Sequence, residues 1–158
     1  MSSLFICRKI IICLALLISI NACQAKEALE IEMPSGKREA FFVDYALTDA
    51  QHAKGLMFVE TMPENAGMLF VFPKPRRTQF WMRNTLIPLD MLFFDTNNTL
   101  VHIVHSATPH DLRPQGPNKD NICSVLELNG GTAEKLGIAE GSKLLSNSTQ
   151  QCLQSSIK

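Results

Sequence analysis

The apolar residues of this chain come in short runs, each stopped by proline, glycine or an Asn/Asp-rich turn, and that rhythm constrains the fold more than any other feature. Leu29-Glu30-Ile31-Glu32-Met33 alternates with period 2 and runs into the turn residues Pro34-Ser35-Gly36-Lys37. Phe41, Val43, Tyr45 and Leu47 then alternate with Phe42, Asp44 and Ala46, so a hairpin opens the domain. Three strand-like runs follow at 67–72, 78–84 and 88–94. Pro73 and Pro75 separate the first two. Ile87-Pro88 separates the last two, because the residue before a proline is pushed out of the helical region. Asp95-Thr96-Asn97-Asn98 reads as a turn, Leu100–Val104 and Ile122–Leu128 as strands, and Lys143–Leu145 as the closing strand. Two helices are expected, both short. Thr48 caps one, with Gln51 completing a capping box and Gly55 ending it; Thr132 caps the other, which stops at Gly137. The pattern predicts an all-β sandwich or barrel with two short helices. Residues 106–121 are polar and carry three prolines and Gly116, and an irregular segment of that length is often functional.

The N-terminal residues are of a different kind. Arg8 and Lys9 precede the apolar run Ile10–Ile20, which is too short to cross a bilayer and has the layout of an export signal. Ile20-Asn21-Ala22-Cys23 resembles the site at which a bacterial lipoprotein is cut and Cys23 lipidated; the competing site is ordinary cleavage after Ala25. The expected division is a signal over 1–22, a tether over 23–28, the β-rich domain over 29–145 and a polar tail over 146–158. A lipidated Cys23 would carry enough acyl chain for stable membrane attachment, giving a periplasmic or outer-membrane lipoprotein. Removing Arg8 and Lys9 from the 15 basic residues leaves 13 against 15 acidic ones, which does not suit a nucleic-acid partner. The one basic cluster, Lys74, Arg76 and Arg77, reads as a solvated hairpin tip, with an anion site as the alternative. In an oxidising compartment Cys123 and Cys152 are candidates for a disulfide, with two separate thiols as the alternative.

Several polar residues interrupt the apolar runs. Arg83 and Asp90 flank the Asn84–Pro88 connection, so Asp90 is expected to be satisfied by Arg83 or by backbone donors, or else to face a cleft. Glu127 shares a strand face with Val125 and Asn129; if it met Asp90 in one pocket, the two would form the acid/base pair of a hydrolase. Trp81, Arg83, Asn84, Thr85 and Asp90 combine an aromatic face with amide, hydroxyl and carboxylate groups, as a sugar or peptide cleft requires, although a core tryptophan is the ordinary alternative. No Gly-x-Ser-x-Gly elbow and no glycine-rich phosphate loop is present, and the four histidines show no convergent zinc-ligand set.

The stretch GMLFVFPKPRRTQFWMRNTLIPLDMLFF at 67–94, with GLM at 55–57 and VLELNGGTAEKLGI at 125–138, resembles the domain-of-unknown-function family 192. The resemblance spans about residues 30–145 and implies a compact, jelly-roll-like β-sandwich of a kind that is often exported, with no established activity. Met57, Met68, Met82 and Met91 lie within its motifs, and Met82 and Met91 are the candidates for a thioether Cu(I) site; packing in the core is the alternative. These readings together describe an exported, lipid-anchored envelope domain that binds a glycan, peptide or protein ligand without turnover and without a cofactor. Its cleft would use Trp81, Arg83, Asn84, Thr85, Asp90 and Glu127. A hydrolase using Asp90 and Glu127, and a methionine-based Cu(I)-binding domain, are the alternatives.

Overall fold

The computed structural model describes residues 27–145 and Cys152. The expected export signal, the expected lipidation site at Cys23 and most of the C-terminal tail lie outside the described residues. In chain order the elements are β1 (Glu27–Glu32), β2 (Arg38–Ala46), α1 (Asp49–Lys54), β3 (Ala66–Arg76), β4 (Leu89–Asp95), β5 (Leu100–Ala107), β6 (Ile122–Asn129), α2 (Thr132–Leu136) and β7 (Lys143–Leu145). Among the described residues no helix is long and apolar enough to cross a membrane.

The strands form one seven-stranded sheet in the order β5-β4-β6-β3-β2-β1-β7. The opening hairpin is present: β1 and β2 pair antiparallel from Glu27↔Val43 to Glu32↔Arg38, joined by a turn in which Gly36 takes φ 82°. β2 and β3 are parallel, so residues 47–65, which carry α1, cross from one to the other. The remaining pairings are antiparallel. The sheet curls until its edges approach: Leu144 N–H donates to Asn98 O at 2.9 Å and Leu100 N–H to Ser142 O at 2.8 Å, linking β7 to the start of β5. The expected all-β fold with two short helices is observed, in the form of a half-barrel.

Curling divides the core in two. Leu29, Ile31, Phe41, Val43, Leu69, Leu92, Leu126, Leu128 and Leu144 fill the inside of the curl, with Ala133 and Ile138 from α2 and its end. Phe70, Phe72, Met82, Leu89, Met91, Phe93 and Val125 form a second cluster on the other face of β3, β4 and β6, together with Ala46 and Leu56 from the 47–65 crossover. These three central strands are therefore covered on both sides, which explains why their sequences are nearly continuous apolar runs.

Two details differ from the sequence expectation. Residues 78–84 are not a strand: Phe80 makes one isolated bridge, to Gln115, and the rest is irregular. Pro73 and Pro75 do not end β3 either. They lie beyond its pairing with β2, where the register with β6 shifts between Val71 and Arg76, an irregularity of the kind at which a strand tolerates proline. The capping box of α1 is formed as expected, by Thr48 and Gln51. For α2 the cap is not Thr132 but Gly131, in the left-handed region and without a side-chain cap of its own. The capping oxygens come from a distant strand, as described next.

Candidate functional site

Strand register separates the two carboxylates proposed as a pair. Met91 pairs with Glu127 across β4 and β6, and Asp90 pairs with Leu128. Directly paired residues point to the same face, so Asp90 and Glu127 lie on opposite sides of the sheet. The hydrolase pair therefore does not exist in this fold. Nor does an Arg83–Asp90 bridge. Asp90 is fully buried, and its Oδ1 accepts from Ser106 N–H at 2.8 Å and Gly131 N–H at 3.0 Å, while Oδ2 accepts from Ala133 N–H at 2.7 Å. It is the missing cap of α2, supplied through space.

Glu127 has the opposite character. In the sheet it stands between Met68 of β3 and Met91 of β4 and is only 4 % exposed. Among the described residues no hydrogen bond or ion pair reaches its carboxyl, and burial alone pushes its pKa up to about 8. The proton is thus held at neutral pH, because an unpartnered carboxylate in an apolar site is far costlier than the acid. Gly67 makes this packing close: a Cβ there would stand 2.5 Å from the Glu127 carbonyl oxygen.

A cleft of about 220 Å³ opens over Glu127. Its walls come from α1 and the residues after it (His52, Lys54, Met57), from the far half of β3 (Phe70, Phe72, Arg76) and from the irregular segment (Thr78, Phe80, Trp81, Arg83, Thr85). Trp81 is 48 % exposed, so it is a surface aromatic and not core. The Arg83 guanidinium lies 5.4 Å from its ring centre, and that of Arg76 lies 5.3 Å from Phe72. His52 Nε2 is 2.9 Å from the Ala46 carbonyl, which fixes the ring beside Phe72. The Thr78 hydroxyl is buried with no hydrogen-bond partner among the described residues.

Of the residues chosen from sequence, Trp81, Arg83, Thr85 and Glu127 converge on this cleft. Asn84 does not line it; it takes φ 54° and directs its amide to Met57 Sδ at 3.8 Å. Its carbonyl receives Phe58 N–H at 2.9 Å, and Phe58 is itself left-handed at φ 65° and 67 % exposed. Met82 and Met91 are fully buried in the apolar cluster with Phe70 and Phe93. Sequence reasoning missed Thr78, Phe80 and His52 as cleft residues, and took Arg76 for part of a solvated tip. No sequence signal marks Arg76 as a cleft residue, because Pro73, Lys74 and Pro75 interrupt the apolar run before it. Cys123 and Cys152 are joined by a disulfide.

The comparisons with known proteins agree with this architecture. Residues 30–146 match the model of DUF192, described as an uncharacterized ACR. The chain belongs to that family. The chain is similar to a protein of unknown function from Novosphingobium aromaticivorans DSM 12444, known from a crystal structure. It is 37 % identical, with a TM-score of 0.73 over 77 % of this chain and 85 % of that one. A second crystal structure, of a proposed transcription regulator from Sinorhizobium meliloti 1021, is also 37 % identical, with a TM-score of 0.73 over 76 % of this chain and 92 % of that one. No curated protein matches the chain.

Proposed function

We propose that this DUF192 protein is an exported, lipid-anchored cell-envelope module that binds a small polar ligand in the Glu127 cleft without turning it over. The observation that carries the reading is Glu127 itself: a carboxyl buried without a partner at the base of a cleft whose mouth holds an exposed tryptophan. Folding gains nothing from such a group, and large unexplained costs of this kind concentrate where a ligand supplies the missing partner. Export and anchoring rest on Arg8, Lys9, the apolar run that follows and Cys23. The regulator description of the Sinorhizobium protein finds no support here in charge, since acidic residues outnumber basic ones beyond residue 22.

The test uses Glu127→Met, which fills the same volume with an apolar group. Replacing an unpaired buried carboxyl in this way should raise the thermal midpoint, while the saturable change in Trp81 emission produced by peptidoglycan fragments, envelope glycans or peptides should disappear. A variant that is more stable and responds like the wild type would remove Glu127 from any site. Absence of a saturable response to every one of these probes in the wild type would overturn the binding reading.

A further inference from the structure

Resting on that reading, we propose that the cleft recognises a carboxylate-bearing saccharide, with one acidic ring seated over Glu127 and the chain continuing past Trp81. Three cationic side chains, Lys54, Arg76 and Arg83, line the cleft, against the acidic Asp49 and Glu127. None of the three makes an ion pair among the described residues, whereas Arg38, Arg77 and Arg113 elsewhere all do. The site therefore presents unneutralised positive charge to a ligand. Two of those charges are guanidinium forks set over aromatic rings, Arg76 on Phe72 and Arg83 on Trp81, an arrangement that limits their rotamer freedom and suits two-point contact with a carboxylate.

The rest of the lining is that of a sugar site. Trp81 offers an apolar face for the C–H side of a pyranose ring. Thr85 and Thr78 bring hydroxyl groups, and a carboxyl that keeps its proton both donates to and accepts from a sugar hydroxyl. At about 220 Å³ the cleft is smaller than the roughly 300–1,000 Å³ of sites for drug-sized ligands, which leaves room for about one ring. Trp81, Phe80 and Gln79 also line, with Pro114, a neighbouring open hollow of about 320 Å³, so the tryptophan borders two adjacent positions for a chain. A free phosphate would use the cations but leave Trp81, Phe80 and the second hollow without a role.

The experiment measures binding to the full-length protein by calorimetry and Trp81 emission in parallel. The probes are trigalacturonate and N-acetylmuramate, which separate a polyuronate source from a peptidoglycan one, their neutral methyl esters, and inorganic phosphate. Saturable binding of either acid is expected, at least tenfold weaker for its ester. A similar loss is expected in Arg83→Gln, whose thermal midpoint should match the wild type because Arg83 is exposed. Esters that bind as well as the acids would overturn anion recognition while leaving the cleft as a ligand site. Phosphate binding as tightly as the acids would overturn the saccharide. Silence toward both acids, with a Glu127-dependent response to peptides or neutral glycans, would overturn this proposal and keep the ligand-binding reading; silence toward peptides, peptidoglycan fragments and envelope glycans as well would end both.

Discussion

Glu127 is a buried carboxyl whose cost to the fold depends on its protonation state. The folded chain keeps its proton to about pH 8, while the reference value for an exposed glutamate is 4.5. A carboxyl whose pKa is raised on folding contributes stability that is complete below the unfolded pKa and is lost as pH rises toward the folded one. Each unit of difference is worth about 1.4 kcal/mol, so several kcal/mol are at stake across that window. The thermal midpoint should therefore fall between about pH 5 and about pH 8.5, and Glu127→Gln should flatten that part of the profile. A wild-type profile already flat there would mean that the carboxyl is ionised or partnered. Phe58 stores strain of another kind. A bulky residue at φ 65° costs on the order of 1–3 kcal/mol, and its ring is too exposed to recover that by burial. Phe58→Gly should accordingly raise stability by about 1 kcal/mol, measured by denaturant midpoint. A loss instead would show that the ring packs on its neighbours more firmly than its exposure indicates.

Between elements, Asp90 ties β4 to β5 and α2 through three backbone donors, and its role is architectural. Asp90→Asn must present an N–H₂ group to at least one of those N–H donors. Leaving a buried donor unmet costs about 1–3 kcal/mol, with cap loss of a similar size, so a drop of about 2–4 kcal/mol is expected with ligand affinity retained at temperatures where the variant is folded. An unchanged midpoint would contradict this. How far the sequence reveals the site depends on which strand carries the residue. Alternation in Leu29–Met33 and at Phe41 and Val43 marks the inner face, and the β1–β2 hairpin follows from it; the pattern fails at the end of β2, where Leu47 is exposed and Ala46 is buried in the outer cluster. On β4 and β6 both faces are buried, so every neighbour is apolar and parity says nothing about whether Asp90 and Glu127 share a side; only the cross-strand register decides it. The 78–84 run failed for a related reason. Phe80 and Met82 are apolar because they cover the outer face of the sheet, not because they belong to it.

For the molecule as a whole, a single curled sheet supports two cores, and the cleft lies on the outer one, roofed by the 47–65 crossover and the irregular 77–88 segment. The inner core is assembled from all seven strands, whereas the outer one depends on loops lying down on β3, β4 and β6. The disulfide bears on the chain globally. It joins Cys123, on buried β6, to Cys152 in the tail, 29 residues away, after the chain has passed through α2 and β7. In the chain-entropy account, closing a loop of that length stabilises by about 3–4 kcal/mol through the unfolded state, which for a domain of this size is roughly 10 °C in thermal midpoint. Cys152→Ser, or reduction of the wild type, should lower the midpoint by that amount. The local geometry at Glu127 should survive, because β6 keeps its full register with β3 and β4 on either side of the cleft floor. The expected signature is therefore a less stable protein in which the pH dependence assigned to Glu127 and the Trp81 response are both retained. If reduction left the midpoint unchanged, the tail would contribute nothing to the fold. If it lowered the midpoint and also erased the Glu127 pH dependence, β6 would be held in place by its covalent tie and not by its neighbours in the sheet.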